Sequence, residues 1–165
     1  MATAEVKTPL GVIGIAASER GIVEVSLNGP VMDVDSGGAQ NEHRAEAVVQ
    51  RAAAQFAEYF SGERREFDLP LDNEVIEGTS FRSRALTAML QVGYGEVVTY
   101  GELAEMAGSP RAARAAGTAC STNPLAIIIP CHRVVPAGGG VGSYGGGEEM
   151  KKWLLELEGS VTPSS

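Results

Sequence analysis

The sequence has few of the residues that cross-link small extracellular domains or bind metals, since its 165 residues include two cysteines and two histidines. Cys120 and Cys131 are too few for a disulfide framework, so we expect a reducing compartment, the cytoplasm. A tetrahedral zinc site would need both cysteines to converge with His43 and His132, and no paired metal-ligand spacing is present. We therefore expect no metal and no other cofactor.

Long apolar runs are also missing. No segment approaches the roughly 20 apolar residues that a membrane span needs, and the start, MATAEVKTPL, has no apolar core of the signal-peptide type. With 44% hydrophobic and 21% charged residues, the composition is typical of a soluble globular protein. The length suits one medium domain or two small ones.

Positive charge is scarce as well. The formal net charge is −8, which by itself argues against a partner rich in phosphate. Residues 1–80 hold 6 Lys and Arg against 14 Asp and Glu, and residues 136–165 hold 2 against 4. Residues 81–135 hold 5 arginines against 3 glutamates and are the one positive stretch. This distribution predicts a small basic face with a modest, salt-sensitive affinity for nucleic acid.

The first half of the chain predicts a small α/β domain. Two apolar runs separated by turn residues indicate a β-hairpin over residues 9–28, and residues 30–41 are typical of a loop. Apolar side chains then recur every three or four positions over residues 42–62, the pattern of an amphipathic helix. Alternation over 65–71 predicts a strand, and the acidic stretch 72–79 predicts a linker between domains.

The second half is predominantly helical. A pattern with one buried face predicts a helix over residues 81–92. Thr99 and Glu102 have the spacing of a capping box, which opens a helix that ends at Gly108. Ser109–Pro110 fits an N-cap followed by proline at the first helical position, so a second helix is predicted from Pro110 to about Cys120. Two short helices joined by a tight turn are typical of a helix-turn-helix. The alternative is a helical hairpin that binds no DNA.

The residues best suited to catalysis follow this pair of helices. The apolar run Ile127–Ile129 predicts a buried strand that ends in Pro130-Cys131-His132-Arg133-Val134. Histidine and arginine neighbours create an electropositive setting, which can lower the pKa of the Cys131 thiol. Consecutive side chains on an extended segment point apart, so His132 would act on Cys131 through a water or a turn. The alternative is a structural cysteine beside a core histidine.

The last helix, predicted over 147–158, places a carboxylate in an unfavourable position. Its apolar face carries Met150, Trp153, Leu154 and Leu157. Glu158 lies at the edge of that face and at the negative end of the helix dipole, where a carboxylate is disfavoured. A partner such as His132 would explain this position. The alternative is an exposed glutamate at a frayed helix end.

Residues 79–159 resemble the catalytic domain of the O6-alkylguanine-DNA alkyltransferases. The matching runs, in order, are GEVVTYGELAEMAGSPRAARAAGTA, NPLAIIIPCHRVV, GSYGGG and KKWLLELEG. The first half resembles the small N-terminal domain of the same family. The resemblance implies an α/β (α+β) protein with two domains, an N-terminal sheet-plus-helix domain (RNase H-like) at 1–78 and a C-terminal winged helix-turn-helix catalytic domain at 79–165.

The resemblance also implies an activity and roles for individual residues. The family repairs DNA by moving an alkyl group from O6 of guanine, and from O4 of thymine, onto its own cysteine, once per molecule. Cys131 would be the nucleophile, and His132 would take its proton through a water while Glu158 orients the imidazole. Tyr100 would donate to the leaving base, and Asn123 would hold the turn around the reactive segment.

The same resemblance implies a DNA face and a base pocket. Arg114 would be the finger that enters the stack when the target nucleotide flips out. The helix around it would lie in the minor groove; the other implied contacts are Arg111, Tyr100, Ala113, Ala115 and Gly117. The implied pocket residues are Val134, Tyr144, Gly145 and Met106. Gly145 stands where some relatives have a serine, so a contact there would come from its backbone N–H. The implied partner is double-stranded DNA, bound by a monomer without an obligatory protein partner.

Two other functions fit the sequence less well. A non-catalytic lesion-binding relative is disfavoured because Cys131 is in place. A helix-turn-helix regulator leaves the Pro-Cys-His-Arg run and Glu158 unexplained, and it would need a dimerisation element that the sequence does not contain.

Overall fold

The computed structural model describes residues 1–31 and 39–160. Most of the predicted loop at 30–41 and the last five residues of the chain lie outside the described residues. The chain forms two compact units, one from Met1–Asn73 with Pro124–Ala126 and one from Glu74–Asn123 with Ile127 onward. The domain bounds 1–78 and 79–165 stay a prediction.

The first unit is built on a three-stranded antiparallel sheet in the order β1-β2-β3, with β1 at Ala2–Thr8, β2 at Gly11–Ser18 and β3 at Gly21–Ser26. The predicted hairpin corresponds to β2 and β3, and a register shift between Ala16 and Ala17 interrupts their pairing. Strand β1 is not predicted by the sequence pattern. This strand buries only Ala2 and Val6, so its apolar alternation is weak and its pairing with β2 defines it.

Helix α1, at Ala39–Phe60, packs against β1 and β2. Its buried face carries Val49, Ala52, Phe56 and Tyr59 at helical spacing. The predicted strand at 65–71 is wrong, because only Leu71 forms a bridge, to Ile22. In its place, the Gln55 side chain accepts from Asp68 N at 2.9 Å and donates to Asp68 O at 3.0 Å. These two hydrogen bonds satisfy the backbone N–H and C=O groups of Asp68 without a neighbouring strand.

The second unit begins with a 3-10 turn at Glu74–Ile76, inside the predicted linker, and helix α2 at Phe81–Met89. Strand β4 at Val98–Thr99 leads into α3 at Tyr100–Met106, and the predicted capping box of Thr99 and Glu102 is confirmed. Helix α4 spans Ala113–Ser121, so the predicted start at Ser109–Pro110 is wrong. The Ser109 carbonyl accepts from Ala112 N at 2.9 Å and closes a separate turn.

The predicted strand at Ile127–Ile129 is also wrong. All three side chains are buried, but Ile127 has φ 73°, the left-handed region, and the chain turns there. Cys131–Arg133 forms a 3-10 turn, and β5 at Val134–Val135 pairs in parallel with β4. A short apolar run reports burial and does not distinguish a strand from a buried turn.

Helix α5, at Glu148–Leu157, closes the unit, with Glu158 as its C-cap. Its buried face differs from the prediction. Lys151 and Leu155 are fully buried beside Met150 and Leu154, whereas Trp153 and Leu157 are half-buried. No helix in the described part of the chain is long and apolar enough to cross a membrane.

Candidate active site

Cys131 lies at the wall of a cavity of about 160 Å³ in the second unit. The 3-10 turn that carries it is held by Asn123, whose side-chain amide donates to Ile129 O at 2.8 Å. The thiol is 5% exposed. The cavity is lined by Tyr100, Gly117, Cys120, Ser121, Cys131, Ser143, Tyr144 and Gly145. Most of these side chains are small, so an organic group can approach the sulfur of Cys131 through this cavity.

Glu158 joins His132 and Arg133, the two residues that follow Cys131 in the chain, in a buried cluster. His132 Nε2 lies 2.8 Å from Glu158 Oε2. Arg133 grips the same carboxylate with two bonds, Nε to Oε1 and Nη2 to Oε2, each 2.8 Å. Arg133 also donates to Val92 O at 2.6 Å. The contact between His132 and Glu158 that the sequence suggested is therefore present, and Glu158 is not an exposed residue at a frayed end.

The cluster determines how the His132 imidazole can act. A carboxylate only accepts hydrogen bonds, so Nε2 carries the proton and Nδ1 keeps its lone pair. Burial lowers the pKa of His132 below its usual value, against the opposing effect of Glu158. No described residue forms a hydrogen bond with the buried Nδ1 atom. His132 is thus a neutral, oriented imidazole whose remaining nitrogen is a base.

The expectation of a lowered thiol pKa is wrong for the protein by itself. Burial raises the pKa of Cys131, while a hydrogen bond from Asn123 and the charge of Lys151 lower it to a smaller extent. The neighbours do not supply the expected positive field, because His132 is neutral and the charge of Arg133 is balanced by Glu158. Burial similarly raises the pKa of Tyr100 to about 12, so its hydroxyl keeps its proton at neutral pH.

A shallow depression adjoins the cavity on the side of α4. It is lined by Tyr100, Ala113, Arg114, Gly117, Thr118, Ser121, Pro136, Gly142 and Ser143. Arg114 and Ala113 are exposed on α4, and Ala116 and Ala119 on its opposite face are buried. Small exposed side chains and one long cation therefore surround the entrance to the cavity.

Some of the remaining candidate residues line the cavity, and the others do not. Tyr144 and Gly145 line the cavity that contains Cys131. Arg111 and Ala115 are exposed but line neither the cavity nor the depression. Met106 is 44% exposed on α3 and lines neither of them. Val134 is fully buried, and its carbonyl accepts from Lys151.

Two charged residues of the site were missed from the sequence. The sequence indicates Arg133 only as a neighbour of the cysteine, yet it binds Glu158 bidentately. No motif in the sequence marks Lys151, yet it is fully buried and contacts Ser143, which lines the cavity. The one sequence feature that could have indicated its burial is that a lysine stands in the otherwise apolar face of α5. Across residues 1–31 and 39–160, no three His, Cys, Asp or Glu side chains come together in a manner that could hold a metal ion.

Family models match both parts of the chain. Residues 1–73 match the 6-O-methylguanine DNA methyltransferase, ribonuclease-like domain, and residues 80–160 match the 6-O-methylguanine DNA methyltransferase, DNA binding domain. A methylated-DNA–protein-cysteine methyltransferase of Methanosarcina acetivorans is 38% identical over 156 residues, which is 93% of this chain and 96% of that protein. One of Mycobacterium tuberculosis is 50% identical over 113 residues, 68% of this chain and 67% of that protein.

Solved structures agree with these matches. The crystal structure of Mycobacterium tuberculosis O6-methylguanine methyltransferase has a TM-score of 0.77 at 36% identity, covering 99% of this chain and 97% of that one. A structure of the Mycobacterium tuberculosis protein in complex with DNA has the same TM-score and identity, and covers 98% and 94%. With its two domain matches and relatives alike over nearly their whole length, the chain belongs to the 6-O-methylguanine DNA methyltransferase family.

Proposed function

We propose that this protein repairs alkylated DNA by direct reversal, taking an alkyl group from O6 of guanine, and from O4 of thymine, onto Cys131. The observation that carries the proposal is the position of Cys131, at the wall of a cavity that adjoins the exposed face of α4 and directly before His132, which contacts Glu158. Membership of the family supports the same reaction.

The transfer is a single displacement. The Cys131 thiol gives its proton, through a bridging water, to Nδ1 of His132, and the resulting thiolate attacks the alkyl carbon. The new S–C bond forms as the bond from carbon to O6 breaks. The electron pair of the broken bond stays on the guanine, which leaves as an anion and takes up a proton. A thioether has no easy return to the thiol, so each molecule acts once.

Glu158 orients the base in this scheme. It fixes the tautomer of His132 through the 2.8 Å contact with Nε2, and it stabilises the imidazolium that forms once Nδ1 takes the proton. Since the bidentate contact with Arg133 already offsets its charge, the carboxylate is a weak proton acceptor. Positioning the imidazole is therefore its main contribution.

Other residues bind the target guanine base or stabilise it as it leaves. Tyr100 keeps its hydroxyl proton because its pKa is about 12, so it donates to the guanine anion as the anion leaves. Asn123 holds the turn that presents Cys131. Tyr144 and the backbone N–H of Gly145 contact the flipped base from the cavity wall, and Val134 is the further pocket residue. Met106 is not retained, because it is exposed on α3 and lines neither the cavity nor the depression.

DNA binds at the exposed face of α4. The small side chains of Ala113, Ala115 and Gly117 permit a close approach to the minor groove, and Arg111 contacts the backbone. Arg114 enters the stack as the target nucleotide rotates out, which costs about a few kcal/mol. We further propose that the protein acts in the cytoplasm as a monomer, without an obligatory protein partner.

The decisive experiment is incubation of the purified protein with duplex DNA that contains O6-methylguanine, followed by mass spectrometry of its peptides. We expect the peptide with Cys131 to gain one methyl group, to saturate at one per chain, and to need no added cofactor. Cys131→Ser is the control that should bind the same DNA and gain none. Continued turnover would contradict the single use of the chain, and binding without an adduct would indicate a lesion-binding protein.

A further inference from the structure

Lys151 is a cation buried in the second unit without a carboxylate partner. The residue is 0% exposed. Its ammonium donates to Val134 O at 2.6 Å and to Ser143 O at 3.4 Å, and lies 5.8 Å from the centre of the Tyr100 ring. Among the described residues, none places a carboxylate oxygen within 4 Å of Nζ. The charge is therefore held by two carbonyl dipoles and the face of an aromatic ring.

This arrangement is costly by itself. Removing an ammonium from water carries a large penalty, which two carbonyls and a ring offset only in part. Methionine or leucine would fill the same place in α5 without that penalty. A buried charge beside a reactive cavity commonly has a role in the chemistry of the cavity. A suitable role here is to balance a negative charge that appears during the reaction.

Several titratable groups face Lys151. Cys120 comes from α4, Cys131 from the 3-10 turn and Glu148 from α5 itself, and each favours the charged form of Lys151, whereas burial lowers its pKa. His132 is also within the field of the ammonium, and Tyr100 presents its ring. Glu148 is exposed to solvent, so its charge is well screened. The thiol that must become an anion for alkyl transfer is Cys131.

The carbonyls that hold Lys151 also come from the walls of the site. Val134 directly follows the 3-10 turn that carries Cys131. Ser143 lines both the cavity and the depression beside α4. The ammonium thus connects the segment after the nucleophile to Ser143, which belongs to the glycine-rich stretch 138–147. Its position is fixed relative to the sulfur before any substrate arrives, which is the preorganisation that electrostatic stabilisation requires.

We propose that Lys151 is a positioning residue that supplies the buried counter-charge for the thiolate of Cys131, with the carbonyls of Val134 and Ser143 holding its ammonium in place. The inference rests on the proposed function, in which that thiolate is the nucleophile. The scheme assigns separate tasks to the two basic groups of the site: His132 removes the proton, and Lys151 balances the charge that remains on sulfur.

The test compares Lys151→Met with Lys152→Met, which removes the exposed neighbouring charge on the same helix. The rate at which iodoacetamide modifies Cys131 is followed against pH by mass spectrometry of the Cys131 peptide, with folding checked by circular dichroism. In Lys151→Met we expect the profile to move up by about one pH unit, so that modification is about tenfold slower at a given pH below the midpoint. Lys152→Met should retain the wild-type profile. An unchanged profile in folded Lys151→Met would overturn the proposal.

A second measurement avoids the risk that Lys151→Met does not fold. The pH titration of Lys151 is followed by the carbon-13 chemical shift of its Cε atom in the wild type and in Cys131→Ser. Because coupling between two charges is reciprocal, loss of the thiol should move the Lys151 titration to lower pH. Identical titrations in the two proteins would disprove the pairing.

These tests are independent of DNA. Methyl transfer by the wild type from DNA containing O6-methylguanine is measured in parallel. A wild type that transfers no methyl group would defeat the proposed function, even with the coupling of Lys151 to Cys131 intact. A wild type that transfers the group but shows no coupling would defeat the role of Lys151 alone.

Discussion

At the scale of single residues, the site depends on a histidine that is kept neutral by burial. His132 is fully buried and its pKa is lowered, chiefly by desolvation. An unfolded chain would hold this group at its usual pKa of about 6.5. Between the two values the unfolded chain binds a proton that the folded protein does not, so acid favours unfolding. The stability contributed by neutral His132 is complete above about pH 6.5 and is lost progressively as the pH falls below it.

We therefore expect the free energy of unfolding of the wild type to fall as the pH is lowered below about 6.5, and the titration of His132 to contribute at most about 1.4 kcal/mol per pH unit to this fall. The measurement is urea unfolding at a series of pH values. In His132→Gln this part of the slope should disappear, because glutamine does not titrate.

His43→Gln is the matched control, since His43 is exposed on α1. It should keep the pH dependence of the wild type. Equal slopes in all three proteins would mean that His132 binds its proton equally well in the folded and unfolded states, and would contradict the neutral imidazole on which the proton transfer depends.

The candidate site was partly accessible from the sequence at this scale. The run from Pro130 to Val134 and the position of Glu158 at a helix end both pointed to the chemistry, because they are local features. Arg133 and Lys151 were not predicted, since their roles depend on where 3-10 and helical backbones direct long side chains. Lys151 reaches Val134, 17 positions away in the chain, and no local pattern encodes that contact.

At the scale of elements, the segment before Cys131 contains a strained residue. Ile127 has φ 73° and is 2% exposed. A β-branched side chain in the left-handed region costs about 1–2 kcal/mol, and burial of the side chain offsets this cost. Truncation to alanine removes the burial and keeps most of the backbone strain. Truncation to glycine removes both the burial of the side chain and the backbone strain.

We expect Ile127→Gly to be at least as stable as Ile127→Ala, and more stable by up to about 1 kcal/mol, which reverses the usual order of these residues. Both variants should be less stable than the wild type, by about 2–5 kcal/mol, because a buried isoleucine is lost. Thermal and urea unfolding measure the difference.

Ile129 provides the comparison. It is fully buried two residues later and does not have a positive φ. At this position the usual order should hold, with glycine less stable than alanine. If Ile127 showed that same order, the turn before Cys131 would not be strained in solution.

The elements that the sequence predicted correctly are those with local signals. The capping box of Thr99 and Glu102 and the periodic core of α1 are set by residues three or four positions apart. The errors occurred where distant contacts decide the backbone. Strand β1 exists through its pairing with β2, and Phe67, in the falsely predicted strand, packs its ring 4.7 Å from that of Phe56. Alternation over a few residues cannot distinguish such a loop from a strand.

At the scale of the whole molecule, net charge and DNA binding oppose one another. The chain carries −8, and of the five arginines in residues 81–135, Arg133 is buried and paired with Glu158. Of the other four, Arg111 and Arg114 are exposed at or near the start of α4 and Arg84 is exposed on α2, whereas Arg82 is half-buried and bonded to Thr122. Few phosphates can therefore be neutralised.

We expect a plot of log affinity against log salt concentration with a slope of about −2 to −4 for undamaged duplex DNA. A slope near −8 would contradict the small basic face.

The two arginines should differ in what their removal changes. Arg111→Ala removes a contact with the DNA backbone, so it should weaken binding equally for damaged and undamaged DNA and reduce the salt slope by about 0.9.

Arg114→Ala should slow methyl transfer from duplex DNA by about tenfold or more, because extrusion of the base loses its support. Transfer from free O6-methylguanine base to Cys131 needs no extrusion and should proceed at the wild-type rate in both variants. Single-turnover kinetics on the two substrates makes the comparison. Equal losses on duplex and free base in Arg114→Ala would show that this arginine supports the chemistry at Cys131 and not the extrusion of the nucleotide.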